Sequence, residues 1–401
     1  MDLKSGLPFS LIKHGLPFEY PKLESSIKTD VAIIGGGISG AITAHELVKA
    51  GFDCVVVDGR TIGLGSTCAS TSILQYEIDV PLFQLIDKVG ARHAVRAYQL
   101  CLESIYKLEQ LSNEVAFPDF DFRESLYFAN NAKDIPFLKE EYAARKRFGF
   151  PVSFLETKDV EKLFYFKAPA AILSDVAAHT DAYCLTNYLH QYGIKKGLQV
   201  FDRTFVAGIS HEKNQVVLKT SEKHSIRARY LINATGYEVT NFIRKKIVKL
   251  LATFATISES QAKPVQPWRH DAVYWNTRNP YFYMRSTKDN RVLIGGRDEK
   301  FYNPTKRDKL VRRKAKQLIK DFNKIFPGVA FKDEFSWAGT FGSTIDGLPF
   351  IGSYNGTPRT YYALGFGGNG ITFSVIAADI IRDLLLGKRN PDAKIFSFDR
   401  V

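Results

Sequence analysis

Apolar positions along the chain fall into distinct patterns. Near the start, Val31 to Ile34 and Cys54 to Val57 are uninterrupted apolar runs. Such runs between turn residues read as strands buried on both faces. Between them, Ile38 to Lys49 reads as a helix that stops near Gly51. Leu82, Leu85, Ile86 and Val89 then repeat with a helical period, and a second helical pattern spans Ala91 to Ser112. The stretches "LLATFATISES", "AVYWNTR", "PYFYMRST" and "RVLIGGRDE" read as strands, with Asp289-Asn290 as a hairpin turn between the last two. Near the C-terminus, an apolar helix from Ile371 to Leu386 follows a glycine-rich turn.

The first turn, "IIGGGISG", sets Gly35, Gly37 and Gly40 in the spacing G-x-G-x-x-G, and Asp58 closes the second strand roughly 20 residues on. Strand, turn, helix, strand and acid together make a dinucleotide-binding fingerprint. Gly35 permits the tight turn, Gly37 lets the backbone approach a pyrophosphate, and Gly40 lets helix and strand pack. Ile38 and Ser39 open the helix, whose first N–H groups favour an anion. Asp58 can accept hydrogen bonds from ribose hydroxyls. The second turn, "GFGGNG" at Gly365 to Gly370, also opens a helix. By itself this second turn reads equally as a surface turn before an amphipathic C-terminal helix.

Composition narrows the class. The 401 residues suit two domains, and 45% apolar with 24% charged residues is an ordinary globular mixture. Cys54, Cys68, Cys101 and Cys184 are scattered and form no C-x-x-C pair, which argues against zinc and a disulfide framework. No signal-peptide h-region and no run of eighteen apolar residues is present, so a cytoplasmic protein without integral membrane association is expected. The formal charge is +13, but no nucleic-acid-binding motif accompanies it. The densest basic run, Lys306 to Lys320, spaces Leu310, Ala315, Leu318 and Ile319 along one helical face. It reads as a solvated amphipathic helix, with an anionic partner or membrane surface as the alternative.

The loop directly after Asp58, "GRTIGLGSTCASTSILQYEID", is rich in glycine and small hydroxyl residues. It lets backbone come close to a flat ring, and nicotinamide dehydrogenases have no need of it here. At this point the chain resembles the D-amino-acid-oxidase-like family of FAD-dependent amine and amino-acid oxidoreductases, which includes glycine oxidase, monomeric sarcosine oxidase and gamma-glutamylputrescine oxidase. "HTDAYCLTNYLHQYGIKKGLQVFDRTFVAGI", "YLINATGYE" and "FSWAGTFGSTIDGLPFIG" resemble further family segments in the same order, so the resemblance covers about Thr29 to Gly387. It implies non-covalent FAD. The implied cofactor residues in the first half are Gly59, Arg60, Gly65, Ser66, Thr67, Thr71, Ser72, Ile73, Val206, Ala234 and Gly236, beside the fingerprint itself. Asp346 and the second turn with its helix, Gly367, Gly368, Asn369, Gly370, Ile371 and Thr372, complete the set. The second turn would face the flavin N1–C2=O edge, where its helix dipole stabilises negative charge. Its glycines bring backbone to the ring, and Asn369 tolerates an unusual backbone conformation.

The fold expected is α/β, or α+β overall. A Rossmann-like FAD-binding domain would span 26–81, 154–242 and 335–401, and a second, mainly antiparallel-sheet substrate domain 82–153 and 243–334. Residues 1–25, with two "GLPF" copies, would form an extension that packs on the surface or covers a partner. The substrate side departs from the family. Glycine oxidase grips its substrate carboxylate with arginines where this chain has Phe341 and Gly368. A lysine and an arginine of sarcosine oxidase fall at Thr372 and Gln75. Unless Arg285 or Arg297 replaces them, the substrate lacks an α-carboxylate beside the flavin. Gln75, Tyr281, Tyr283 and Phe341 are the substrate-facing candidates.

The implied activity is oxidation of an amine C–N bond by hydride transfer to flavin, with hydrolysis of the imine. The partners would be a small-molecule amine and O2. A dehydrogenase of the same fold with a quinone or protein acceptor, and a non-catalytic flavin-binding protein, remain alternatives. The oligomeric state is left open.

Overall fold

A computed structural model describes residues 2–241, 248–261 and 272–400. Two sheets organise it. In the first, Ile27–Ile34 lies parallel to both Cys54–Val57 and Ser225–Asn233, and Thr360–Leu364 and Gln199–Phe201 extend it on either side. Side chains alternate across the central strand. Val31 and Ile33 enter the core beneath the helices Ile38–Lys49, Ala182–Ile194 and Gly370–Leu385, together with Ile42, Leu47, Leu189 and Ile376. Ala32 and Ile34 face the opposite way, into a cluster with Ile226 of the neighbouring strand and with Val216 and Leu218 of an antiparallel layer. A strand covered on both faces has no polar side, which is why the run Val31 to Ile34 reads as uniformly apolar.

The second sheet is mixed and mainly antiparallel. Its central order is Asp333–Ser343, Lys249–Ser258, Val292–Lys300, Tyr283–Ser286, Val273–Asn276, Phe120–Phe128 and Ala170–Thr180. One face packs on the helix Pro304–Ile325: Phe254, Met284, Ile294 and Ala338 meet Val311, Leu318 and Phe322. Burying each such side chain stabilises the fold by about 1.5–3 kcal/mol. Their strand neighbours Thr253, Ala255, Tyr283 and Gly339 point the other way and line a cavity between the sheets. The hairpin forms at Asp289-Asn290, with Asn290 at φ 57°.

Strand membership departs from the expected segments. Ile73–Gln75, Val152–Glu156, Ala170–Thr180 and Asp333–Ser343 all pair within the second sheet rather than the cofactor sheet. The helix Ala91–Glu114, expected with the substrate domain, packs on Gly370–Leu385. The chain crosses between sheets on either side of the cavity, so a segment such as the flavin loop begins on one sheet and ends on the other. The expected boundary at 242/243 lies outside the described residues.

Residues 2–25 are part of the fold. Lys4–Gly6 forms an edge strand on Asp333–Ser343, with Ser5 opposite Ala338, and Leu3 reaches the cavity. The buried Arg307 guanidinium donates to the carbonyls of Asp2 and Lys4 at 2.9 and 2.8 Å. The short helix Phe9–His14 is then tied down by His14 Nε2, 3.1 Å from the buried Asp181 carboxylate, and by Tyr183 Oη, which donates to Gly15 O at 2.8 Å.

Hydrogen bonding to Asp181 raises the His14 pKa to about 9. The contribution of this pair is therefore full below the unfolded value of about 6.5 and is lost as pH rises through about 9. Partial exposure screens it to on the order of 1 kcal/mol. His14→Ala should accordingly lower Tm at pH 6, and the deficit should shrink by pH 10. A Tm difference independent of pH would show that the ion pair does not hold this helix.

Candidate active site

The cavity between the sheets has a volume of about 650 Å3 and runs from Asp58 at one end to the Gly367–Ile371 turn at the other. The first glycine turn builds the Asp58 end. Gly35 has φ 110°, and a Cβ there would lie 2.5 Å from Ala234 O. At Gly40 a Cβ would lie 1.8 Å from Gly35 O, so this glycine lets the helix start directly beneath the turn and does not itself line the cavity. Asp58 accepts from Gly36 N and Arg60 N, each at 2.8 Å, and its carboxyl is pushed up by burial. Its remaining lone pairs can still meet hydroxyl donors. The helix Ile38–Lys49 begins at Gly37, which has no side chain to cap it, and Thr67 Oγ1 accepts from Ile38 N at 3.1 Å. Arg60 forms a bidentate pair with Glu238 at 2.9 and 2.7 Å.

The second turn lies against the first. Ser39 Oγ and Ser374 Oγ are 2.7 Å apart, joining the two helices near their N-termini. Gly365 and Gly367 take positive φ of 75° and 57°. Asn369 does not adopt the expected unusual backbone: its φ is −91°. Its amide instead donates to Gln75 O and Glu77 O at 3.1 and 2.8 Å, fastening the turn to the end of the flavin loop.

Of the expected cofactor residues, Gly35, Gly37, Ile38, Ser39, Asp58, Gly59, Arg60, Gly65, Ser66, Thr67, Thr71, Ser72, Ile73, Val206, Ala234, Gly236, Gly367, Gly368, Asn369, Gly370 and Ile371 all line this one cavity. Two others, besides Gly40, do not. Asp346 lies outside it, held by Arg400 at 2.7 Å and by Leu348 N at 3.1 Å. Thr372 is buried under the turn and donates to Asn369 O at 2.9 Å.

Of the substrate-facing candidates, Tyr281, Tyr283 and Phe341 line the Gly368 end, with the tyrosine rings 5.8 Å apart. Gln75 also lines the cavity, but its amide donates to Ser125 Oγ, which also accepts from Trp275 Nε1, both at 3.0 Å. Its side chain therefore supports Trp275, which stacks on Tyr127 at 3.7 Å. Arg285 is buried outside the cavity, donating to Thr71 O at 2.7 Å. Arg297 is turned onto Asp321 at 2.7 and 2.6 Å.

Three acids on the lining at this end were not among the sequence candidates: Glu77, which is paired with the buried Arg145 at 3.2 Å, Asp79 and Asp298. Asp79 Oδ2 accepts from Gly368 N at 2.8 Å, and its Oδ1 accepts from Tyr281 Oη at 3.1 Å. The carboxylate opens onto the cavity but is surrounded by protein, and this burial pushes its pKa up. Asp298 lies nearby on Val292–Lys300, next to Tyr283 and Thr253. Asp79 stands at the end of the quoted flavin loop, where an acid in a run of small residues was the available signal. Asp298 has no comparable signal. The register shifts between Ala252 and Phe254 where they face Glu299 and Gly296, and Arg297 takes φ 57°. This bulge breaks the alternation by which an inward position is read.

A parallel-sheet dinucleotide fold joined to a second sheet, with one cavity meeting two glycine turns, fits a flavoprotein. The family described as FAD dependent oxidoreductase (DAO) matches residues 30–384, and the chain belongs to it. Gamma-glutamylputrescine oxidoreductase of Escherichia coli is 26% identical over 383 residues, covering 92% of this chain and 86% of the relative. Glycine oxidase of Bacillus subtilis is 21% identical, covering 90% and 93%. In fold, the chain is similar to glycine oxidase from Geobacillus kaustophilus (TM-score 0.77, 20% identity, 92% of this chain and 98% of that one). L-proline dehydrogenase from P. horikoshii is similar to the same degree (TM-score 0.77, 21% identity, 93% and 97%).

The protein is thus an FAD-dependent oxidoreductase, and its residues fit the cofactor. The glycine cradle leaves the first turn open to a pyrophosphate, Asp58 keeps acceptor capacity for a ribose, and both helix N-termini face the cavity.

A Cβ at Gly37 would meet Thr67 Oγ1 at 2.7 Å, on the side where the pyrophosphate must approach. Gly37→Val should lower the flavin content of the purified protein at least about tenfold while its far-UV circular dichroism is retained. Full yellow occupancy in that variant would count against this placement of the pyrophosphate. Attachment should be non-covalent. Cys68 is buried outside the cavity lining, and burial pushes its thiol up to about 12, away from the reactive thiolate. Acid precipitation should release the flavin to the supernatant; a yellow pellet would contradict this.

Proposed function

We propose that the protein oxidises the C–N bond of an amine that carries no α-carboxylate beside the flavin. One observation carries this reading: the Gly368 end of the cavity is lined by the carboxylates Asp79 and Asp298 and, among the described residues, by no lysine or arginine. Arg60 is the single such cation on the described lining, and it is paired with Glu238 at the Asp58 end. A substrate carboxylate would add a further buried negative charge without a counter-ion, several kcal/mol uphill. An ammonium matches the site. The name of the Escherichia coli relative, which refers to an amine, supports the same reading.

Bound FAD supplies the two-electron acceptor for the hydride that leaves the carbon bearing nitrogen. The chain's residues act on the nitrogen. Its lone pair must be free for the C–N bond to gain double-bond character, so an ammonium must first lose a proton. Asp79 is placed to accept it: burial makes its carboxylate more basic, and Gly368 N and Tyr281 Oη orient it. Trp275, Tyr281, Tyr283 and Phe341 enclose the site in aromatic surface, whose faces attract the incoming ammonium and keep water from the neutral amine once that proton has moved. Water then hydrolyses the iminium product to a carbonyl compound and the released amine or ammonia.

O2 is the acceptor in this reading. The alternative, a dehydrogenase with an anionic acceptor partner, draws on one feature. Lys309, Arg312, Arg313, Lys316 and Lys320 are exposed on the helix Pro304–Ile325 and form no ion pair among the described residues. Stoichiometric O2 consumption and H2O2 release with a turning-over amine would exclude it.

In anaerobic mixing, primary or secondary aliphatic amines should bleach the flavin faster than glycine, sarcosine or D-alanine at equal concentration. Asp79→Asn should lower kcat/KM for amines by about a hundredfold, in line with the typical worth of a positioned base. A higher kcat/KM for glycine or a D-amino acid than for any amine would overturn the reading.

A further inference from the structure

The Gly368 end of the cavity holds more negative charge than one ammonium can neutralise. Asp79 has hydrogen-bond donors on both oxygens. Asp298 differs. Its Oδ1 is buried and takes no hydrogen bond from any described residue. Unpartnered buried carboxylate oxygens are costly and point to a missing donor.

Asp298 is also set in place by an irregularity with an energetic cost. At the bulge in Val292–Lys300, Arg297 adopts φ 57°, a conformation a non-glycine residue takes at a penalty. Arg297 turns outward to Asp321, which also takes Arg278 at 3.0 Å, while the next residue, Asp298, lines the cavity. Lys314, whose charge reaches Asp298, spends its Nζ hydrogen bonds on Arg297 O at 3.0 Å and on Glu299. Within the cavity the two acids work against each other. Burial, and then the nearby Asp79 charge, push Asp298 up to about 6, against the opposing pulls of the Thr253 hydroxyl and the Lys314 charge.

We propose that Asp298 is a second ammonium site, and that the preferred substrate is a diamine or polyamine whose reacting nitrogen lies at Asp79 and whose second ammonium pairs with Asp298. This rests on the amine-oxidation reading above. A dication can pair with both carboxylates of one cavity at once. Once Asp79 has taken the proton from the reacting nitrogen, the distal ammonium still offsets the Asp298 charge. Tyr281 and Tyr283 lie near both acids, where an alkyl chain linking the two nitrogens can lie against their rings.

The test compares 1,3-diaminopropane to 1,6-diaminohexane with the n-alkylamines of the same carbon number, on the holoenzyme mixed anaerobically. The dependence of bleaching rate on concentration separates Kd from the limiting rate. The best diamine should bind at least about thirtyfold more tightly than its monoamine, and Asp298→Asn should reduce that ratio at least about tenfold. Asp79→Asn should lower the limiting rate with both classes. In a second readout, the best diamine should raise Tm of the wild type more than its monoamine does, and this excess should vanish in Asp298→Asn. Equal Kd for diamine and monoamine in the wild type would overturn the second site while leaving amine oxidation standing. An unchanged ratio in Asp298→Asn would do the same. No bleaching by any amine would instead sink the amine-oxidation reading.

Discussion

The structure depends on the meeting of two helix N-termini at one cavity. Ile38–Lys49 and Gly370–Leu385 pack side by side beneath the parallel sheet, and the Ser39–Ser374 contact joins them near their N-termini. Each helix contributes unsatisfied backbone donors and the positive end of its dipole. Such donors are favourable only where a negative group meets them. The fold therefore brings two sites far apart in sequence to one cavity, where an elongated cofactor with two electron-rich ends would meet both. The glycines serve this geometry: at Gly35 and Gly40 a Cβ would run into backbone.

Around that cofactor site, charge is separated. At the Asp58 end the acids have partners: Arg60 with Glu238, and backbone N–H groups with Asp58. At the Gly368 end Asp79 and Asp298 face the cavity, and no described lysine or arginine lines it there. A buried carboxylate is tolerated when its ligand completes the pair. The relatives named as glycine oxidases act on a substrate with a carboxylate, and the resemblance places their gripping arginines at Phe341 and Gly368. In this chain the Gly368 N–H holds Asp79.

The edges of the molecule are held by buried charge as well as by packing. Arg307, almost fully buried, fastens Asp2 and Lys4 through their carbonyls and reaches Thr340 Oγ1 at 3.0 Å. Arg145 joins Glu141 and Glu77 beneath the loop that carries Asp79, at 2.6 and 3.2 Å. These guanidinium groups fix the segments that border the cavity and leave its interior free of their charge.

The sequence by itself determined the local elements and the cofactor. Strand Cys54–Val57 and helix Ile38–Lys49 were legible to the residue, because apolar periodicity and glycine spacing are local properties that burial on a sheet enforces. The glycine-to-acid spacing was enough to place Gly35, Gly37 and Asp58 together. Only the tertiary structure decided what depends on pairing between distant strands. It moved Ala170–Thr180 and Asp333–Ser343 to the second sheet and made an edge strand of Lys4–Gly6. It also spent Gln75 on Ser125 and sent Asp346 to Arg400. Asp298 shows the reason most directly. A bulge against Ala252 to Phe254 decides which way its carboxylate faces, and register between strands is a property of two segments that neither sequence contains alone.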